Sequence, residues 1–232
     1  MTARPPPPDD RPGEHRWPAA IAVLVALALY LLLPQTLVIG SRIAVVALEV
    51  VLFVPLVIAN PHHMTKENRL LRSLSIGLVL LIAVANIAAL VLLVREMVNG
   101  ETTEGKKLLL AAGQVWVTNI IIFALTFWEL DRGGPVRRTQ ADHGDLPPAD
   151  FRFPQDEDQD AIDEVAALSS AKSGWTPGFI DYLYVSVTNS SAFSPTDTMP
   201  LSPRIKLLMG AESISALLLS VLAISRGVSL LK

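Results

Sequence analysis

Five long apolar runs, 18–39, 43–59, 73–94, 108–128 and 203–227, constrain this chain more than any other feature. About 20 apolar residues in a helix span the roughly 30 Å hydrocarbon core of a bilayer. Long uncharged runs of this length are the signature of membrane helices, so the expected fold class is an all-α integral membrane protein with about five transmembrane helices. The run 18–39 exceeds the 7–15-residue core of a signal peptide and has no clear small-x-small cleavage site. It reads as a retained first span. Composition agrees: 51% of residues are hydrophobic and 18% charged, against roughly 25% charged in soluble domains.

The rest of the composition excludes function classes. Net charge is −3 and aromatics are 6%, which gives neither a basic patch nor a stacking surface for nucleic acid. Cysteine is absent, so disulfides, thiolate nucleophiles and cysteine-held metals are excluded. His62 and His63 are adjacent and lack the i, i+4 spacing of helical metal ligands. No nucleophile elbow, His-Glu-x-x-His or phosphate loop occurs. No catalytic residue, metal site or cofactor is expected, and the chain is not read as an enzyme.

Four regions follow from these patterns. Residues 1–16, with Pro5 to Pro8 followed by Asp9 and Asp10, form a proline-rich solvated tail. Residues 17–132 hold four spans. Residues 133–176 are an acidic soluble linker with too few apolar residues for a core of its own. Within it, Phe151-Arg-Phe-Pro-Gln155 suits docking on the membrane domain or headgroups, 161–171 suits a short amphipathic helix, and 136–172 is the candidate surface for a protein partner. Residues 177–232 hold an aromatic-rich amphipathic segment, a Ser/Thr-dense loop and the last span.

That loop and two carboxylates are the candidate sites. Polar backbone at membrane depth is tolerated where it is buried in protein or lines a watery cavity, so a re-entrant or interfacial half-helix and loop is expected before the last span. Its pore-lining candidates are Ser190, Ser191, Ser194, Thr196 and Asp197. Glu49 and Glu212 fall inside apolar runs, where a carboxylate costs about 2.5–3.5 kcal/mol on insertion scales. Glu49 is expected to face the bundle, either bonded between helices as the neutral acid or serving ion passage, and Glu212 is the second membrane carboxylate of the channel reading. Gln114, Thr118 and Asn119 give the fourth span a polar stripe for interhelical hydrogen bonds, and Asn86 lies inside the third span.

Residues 182–226 resemble the pore-helix, filter and inner-helix module of bacterial two-helix potassium channels. Tyr184-Val-Ser186 is followed by Asp197, then Pro200 and Ser202-Pro203, and then Glu212 in the inner helix. The resemblance implies a pore loop and a homo-oligomer around it. The filter differs: Ser194-Pro195-Thr196 stands where that family has Gly-Tyr-Gly, and no glycine occurs between Gly178 and Gly210. Proline fixes φ near −65°, so a potassium-type carbonyl ladder is not expected, and coordination would fall to hydroxyls and Asp197. The chain also resembles a group of bacterial multi-pass inner-membrane proteins without an assigned activity. That likeness rests on Phe127-Trp-Glu-Leu-Asp-Arg-Gly-Gly-Pro135, Phe151-Arg-Phe-Pro-Gln155, and Asp181-Tyr-Leu-Tyr to Pro200.

Basic residues set an expected orientation. With the N-terminus cytoplasmic, that side receives Arg4, Arg11, Arg16, Lys66, Arg69, Arg72, Arg132, Arg137, Arg138, Arg152 and Lys172; the other receives Arg42, Arg95, Lys106 and Lys107. A cell-membrane protein with a cytoplasmic N-terminus results. In the channel family the loop dips in from outside, so a cytoplasmic entry here would be the inverted arrangement. Two function classes stand: a non-potassium-selective ion or small-solute channel, and a non-conducting structural or accessory protein whose acidic segment binds a partner.

Overall fold

The apolar runs fold as long helices, joined by short turns and two minimal strand pairs. The computed structural model describes residues 13–99, 105–157, 160–192 and 198–229. In chain order the elements are β1 (Glu14–His15), α1 (Trp17–Leu32), α2 (Arg42–Ala59), β2 (His63–Met64), α3 (Arg69–Asn99) and α4 (Gly105–Leu130). Then come α5 (Pro135–Gln140), β3 (Phe151–Arg152), α6 (Asp163–Ala166), α7 (Ser170–Ser173), α8 (Phe179–Ala192), β4 (Met199–Pro200) and α9 (Pro203–Ser229). The chain is all-α, 77% helical.

Among the described residues four helices, α2, α3, α4 and α9, are long and apolar enough to cross a membrane. The first apolar run gives a shorter helix, α1, of 16 residues, about 24 Å at 1.5 Å per residue. Pro34 accounts for the early stop: proline disfavours helical backbone in the residue before it, and Leu33 is extended. Arg42 of the next helix finishes the end, donating to the carbonyls of Leu31 (2.8 Å) and Leu33. The run continues as a 3-10 turn, Gln35–Leu37, that buries Leu37 and Val38.

α4 is the most enclosed of the four long helices and packs against α1, α3, α8 and α9. The bundle has two ends. Glu14, His62, Trp128 and Phe179 meet at one, here the N-terminal end, where Arg16 N donates to His62 O (3.0 Å) and β1 pairs with β2. Leu33, Leu37, Leu93 and Leu108 form a second apolar cluster toward the other.

α8 and α9 both start from the N-terminal end. Tyr182 near the start of α8 reaches Asp131, while Ser186 and Asn189 reach Ile120, Met209 and Glu212 in the interior. The two helices therefore run parallel. α8 has 14 residues, about 21 Å, so it ends part-way along its neighbours. Yet β4, which follows it, pairs antiparallel with β3 back at the N-terminal end: Phe151 opposes Pro200 and Arg152 opposes Met199. Leu201 N also donates to Asp150 O (2.8 Å).

The segment between α4 and α8 covers the N-terminal end. Composition gave it no core of its own, and it borrows one: Phe151 and Phe153 are buried among Phe127, Trp128, Phe179 and Tyr182. Edge-on ring contacts join Phe151 to Phe127 and Tyr182, and Phe153 to Trp175. The residues of 161–171 form two short helical turns, α6 and α7, rather than one amphipathic helix. Consecutive positive φ values at Arg132, Gly133 and Gly134 turn the chain out of α4. At Gly134 a Cβ would lie 2.4 Å from Arg72 Nη1, so glycine there lets Arg72 donate to Gly133 O (2.6 Å).

Candidate functional site: a buried carboxyl between two parallel helices

Ser186, Asn189 and Ser190 share one face of α8, because residues three and four apart stack on a helix. All three are buried, and all three point at Glu212 of α9, which is itself fully buried. Asn189 Nδ2 donates to Glu212 Oε2 (2.7 Å) and to Met209 O (2.9 Å). Ser213 Oγ donates to Asn189 Oδ1 (3.0 Å), which fixes which way the amide faces. Ser190 Oγ lies 3.0 Å from Glu212 Oε1, and Ser186 Oγ also contacts that oxygen. Ser186 Oγ is 2.8 Å from Ile120 O as well. A hydroxyl carries one proton, so Ser186 donates to one of these two acceptors at a time. Both contacts are satisfied together when the acid is neutral and itself donates to Ser186 Oγ.

The polar chain continues across the bundle. Ser215 Oγ donates to Glu212 O (2.8 Å), Asn119 Nδ2 donates to Ser215 Oγ (2.9 Å), and Asn86 Nδ2 approaches Asn119 Oδ1 at 3.4 Å. Of the polar residues singled out in the third and fourth spans, Asn86 and Asn119 thus connect α3, α4 and α9. Thr118 instead donates to Gln114 O of its own helix (2.8 Å).

The remaining candidate residues do not join this cluster. Ser191 is exposed and donates to Val187 O one turn back (2.7 Å). Ser194, Thr196 and Asp197 lie outside the described residues. Glu49 is buried at 2% exposure on α2, within electrostatic reach of Tyr30. Its Oε2 has no hydrogen-bond partner among the described residues.

A second polar cluster, at the N-terminal end, was not singled out as a site. Asp131 is fully buried and accepts from Tyr182 OH (2.6 Å) and from the backbone N–H of Asp150 (2.6 Å). Arg138, also buried, donates to the carbonyls of Trp128 and Asp131 (both 3.1 Å) and to Glu14 Oε2 (3.3 Å), and it lies over the Tyr182 ring. Glu14 accepts from Trp128 Nε1 (3.0 Å) and Phe179 N (2.5 Å). Burial pushes the Glu14 carboxyl above its ordinary range, against the opposing pull of Arg138, Trp128 and the Phe179 N–H. Arg204 at the start of α9 pairs with Asp150, and Arg132 pairs with Asp156 (2.6 Å). The start of α8, the start of α9 and the covering segment are tied together here. The sequence signal was the apposition of Asp131 and Arg132 with a Gly-Gly-Pro turn, where a charged pair ends an apolar helix.

His63 is turned to the main chain, its Nδ1 2.8 Å from Gly13 O, and its ring packs on His15. Among the described residues no three His, Asp or Glu side chains converge as metal ligands. No family model matches the chain, and comparison with curated proteins and with solved structures finds no match either.

Proposed function

We propose that this chain is a multi-pass integral membrane protein of the cell membrane with five spans, α1 to α4 and α9, and that α8 is a re-entrant half-helix forming a pore-loop-like element with α9. In this reading the protein assembles as a homo-oligomer and passes small ions or solutes without potassium selectivity. One observation carries it. α8 runs inward from the end where α9 also starts, and β4 lies back at that same end. A half-helix entering and leaving by one face, followed by a full-length helix, is the layout of a pore loop. α1 would complete its crossing with the 3-10 turn and Val38 beyond Leu32.

The N-terminal end holds most of the basic residues, which supports a cytoplasmic N-terminus. The loop then enters from the cytoplasm. A second reading, a non-conducting structural or accessory protein, is favoured by the closed bonding of Ser186, Asn189 and Ser190 onto Glu212 within one protomer. The exposed Ile162 and Leu168 of the covering segment offer a partner surface in that case.

Purified protein reconstituted into liposomes tests the choice. The conducting reading expects cation flux above that of empty vesicles, reduced severalfold by Asp197→Asn. Absence of flux for common cations, anions and protons rejects conduction and leaves the accessory reading, which in turn expects a membrane complex lost on deleting 136–172.

A further inference from the structure

A cavity opens at the N-terminal end, enclosed by α1, α2, α3 and α4 and bounded by α5. It stands apart from the hairpin site, and its chemistry is ordered along its depth. The basic side chains Arg16 and Lys66 are at the mouth, and Val23, Phe53, Leu78 and Leu125 form the floor. Its volume is ≈ 70 Å³, several times the roughly 10–15 Å³ that a single water needs.

The charges at the mouth are unequal. Arg72 is already engaged, with Glu67 (3.1 Å) and the carbonyl of Gly133 (2.6 Å). Glu129 is turned to Ser75 Oγ. Arg16 and Lys66 make no ion pair among the described residues, and the buried Nε of Arg16 has no acceptor there. The Arg16 main chain is held by His62 O and by the β1–β2 pair beside it, so its side chain starts from a fixed point at the mouth. Lys66, and Arg16 with the Glu129 carboxyl within its electrostatic reach, stand above an apolar floor and match an amphiphile with an anionic head. Basic groups near a membrane surface attract anionic lipid by about 1 kcal/mol each, and Arg and phosphate suit one another geometrically.

We propose that this cavity binds the phosphate ester of an anionic membrane amphiphile, with Arg16 and Lys66 on the phosphate and the adjoining hydrocarbon over Val23 and Leu78. The inference rests on the membrane reading and is independent of conduction.

The test is native mass spectrometry of the full chain in a non-ionic detergent. It is titrated with dioleoylphosphatidylglycerol, with dioleoylphosphatidylcholine, and with sodium phosphate as competitor. Phosphatidylglycerol should bind at least fivefold more tightly than phosphatidylcholine. Arg16→Gln should weaken phosphatidylglycerol at least fivefold, and Lys66→Gln, at an exposed position, should weaken it in the same direction. Val23→Phe, which fills the floor, should weaken both lipids. Lys206→Gln, exposed at the same end but outside the cavity, should change nothing. Equal binding of the two lipids, or phosphatidylglycerol binding indifferent to Arg16→Gln, Lys66→Gln and Val23→Phe, overturns the proposal. Displacement of the lipid by millimolar phosphate also overturns it, in favour of a free-phosphate site. Alkaline carbonate extraction separates the failures: a protein stripped from membranes fails the membrane reading, whereas a retained protein without lipid preference fails this inference alone.

Discussion

Glu212 and Glu49 are both carboxyls buried in apolar helices, and they are provided for in opposite ways. Glu212 meets a helix whose face was built for it: Ser186, Asn189 and Ser190 all reach its two oxygens. Glu49 has Tyr30 within electrostatic reach and leaves one oxygen without a hydrogen-bond partner among the described residues. Polar groups in a low-dielectric interior are costly when unsatisfied and organising when satisfied. Glu212 therefore locks α8 against α9, while Glu49 contributes nothing comparable to the packing of α2.

The largest expected effect is at Glu212. Removing the carboxyl leaves Ser190 without its acceptor, while Ser186 keeps Ile120 O and Asn189 keeps Met209 O. One stranded buried donor plus the space left by the side chain should make Glu212→Ala lose about 2–4 kcal/mol in reversible unfolding of the purified protein in mixed micelles. Glu212→Gln, which keeps one acceptor oxygen, should lose about half as much or less. An alanine variant as stable as the parent would remove Glu212 as the lock of the hairpin.

The next test stays on α8 and compares adjacent hydroxyls. Ser190 is buried on Glu212, whereas Ser191 is exposed and bonded within its own helix. Ser190→Ala should cost about 1 kcal/mol, within the usual range for a buried hydrogen bond, and Ser191→Ala less than about 0.5 kcal/mol. Equal losses would mean that the face of α8 toward Glu212 is not what holds it.

How much of this was legible in the sequence depends on how far apart the partners are. The apolar runs needed no partner to be read, since length and hydropathy fix a helix in an apolar solvent. Glu212 was visible as a carboxyl in such a run, and the Tyr184-Val-Ser186 motif drew attention to α8. That Ser186 faces Glu212 was not legible, because it depends on α8 and α9 running parallel. The N-terminal cluster was hidden more deeply: Arg138 and Glu14 are 124 residues apart. In 133–176 composition counted acids without their cations, yet Asp150 lies on Arg204 and Asp156 on Arg132. Two phenylalanines cannot make a core alone, but they can complete one supplied by α4 and α8.

The smallest expected effect is also the one most able to break the comparison. If Glu49 makes no stabilising bond, replacing it with a residue of similar size and no polar atoms removes a desolvation cost and little else. Glu49→Leu should be at least as stable as the parent, because apolar volume of similar size replaces a buried oxygen that has no partner among the described residues. Glu49→Gln should also lose little, since it keeps a polar atom at the position where Oε2 has no hydrogen-bond partner among the described residues. A loss on both substitutions as large as that of Glu212→Ala would place a partner on Glu49. The two carboxyls would then be alike in kind, and α2 would be held to the bundle by a polar contact as α8 is. A loss of ion flux without a loss of stability would separate them differently, making Glu212 the structural carboxyl and Glu49 the one that the conducting reading requires.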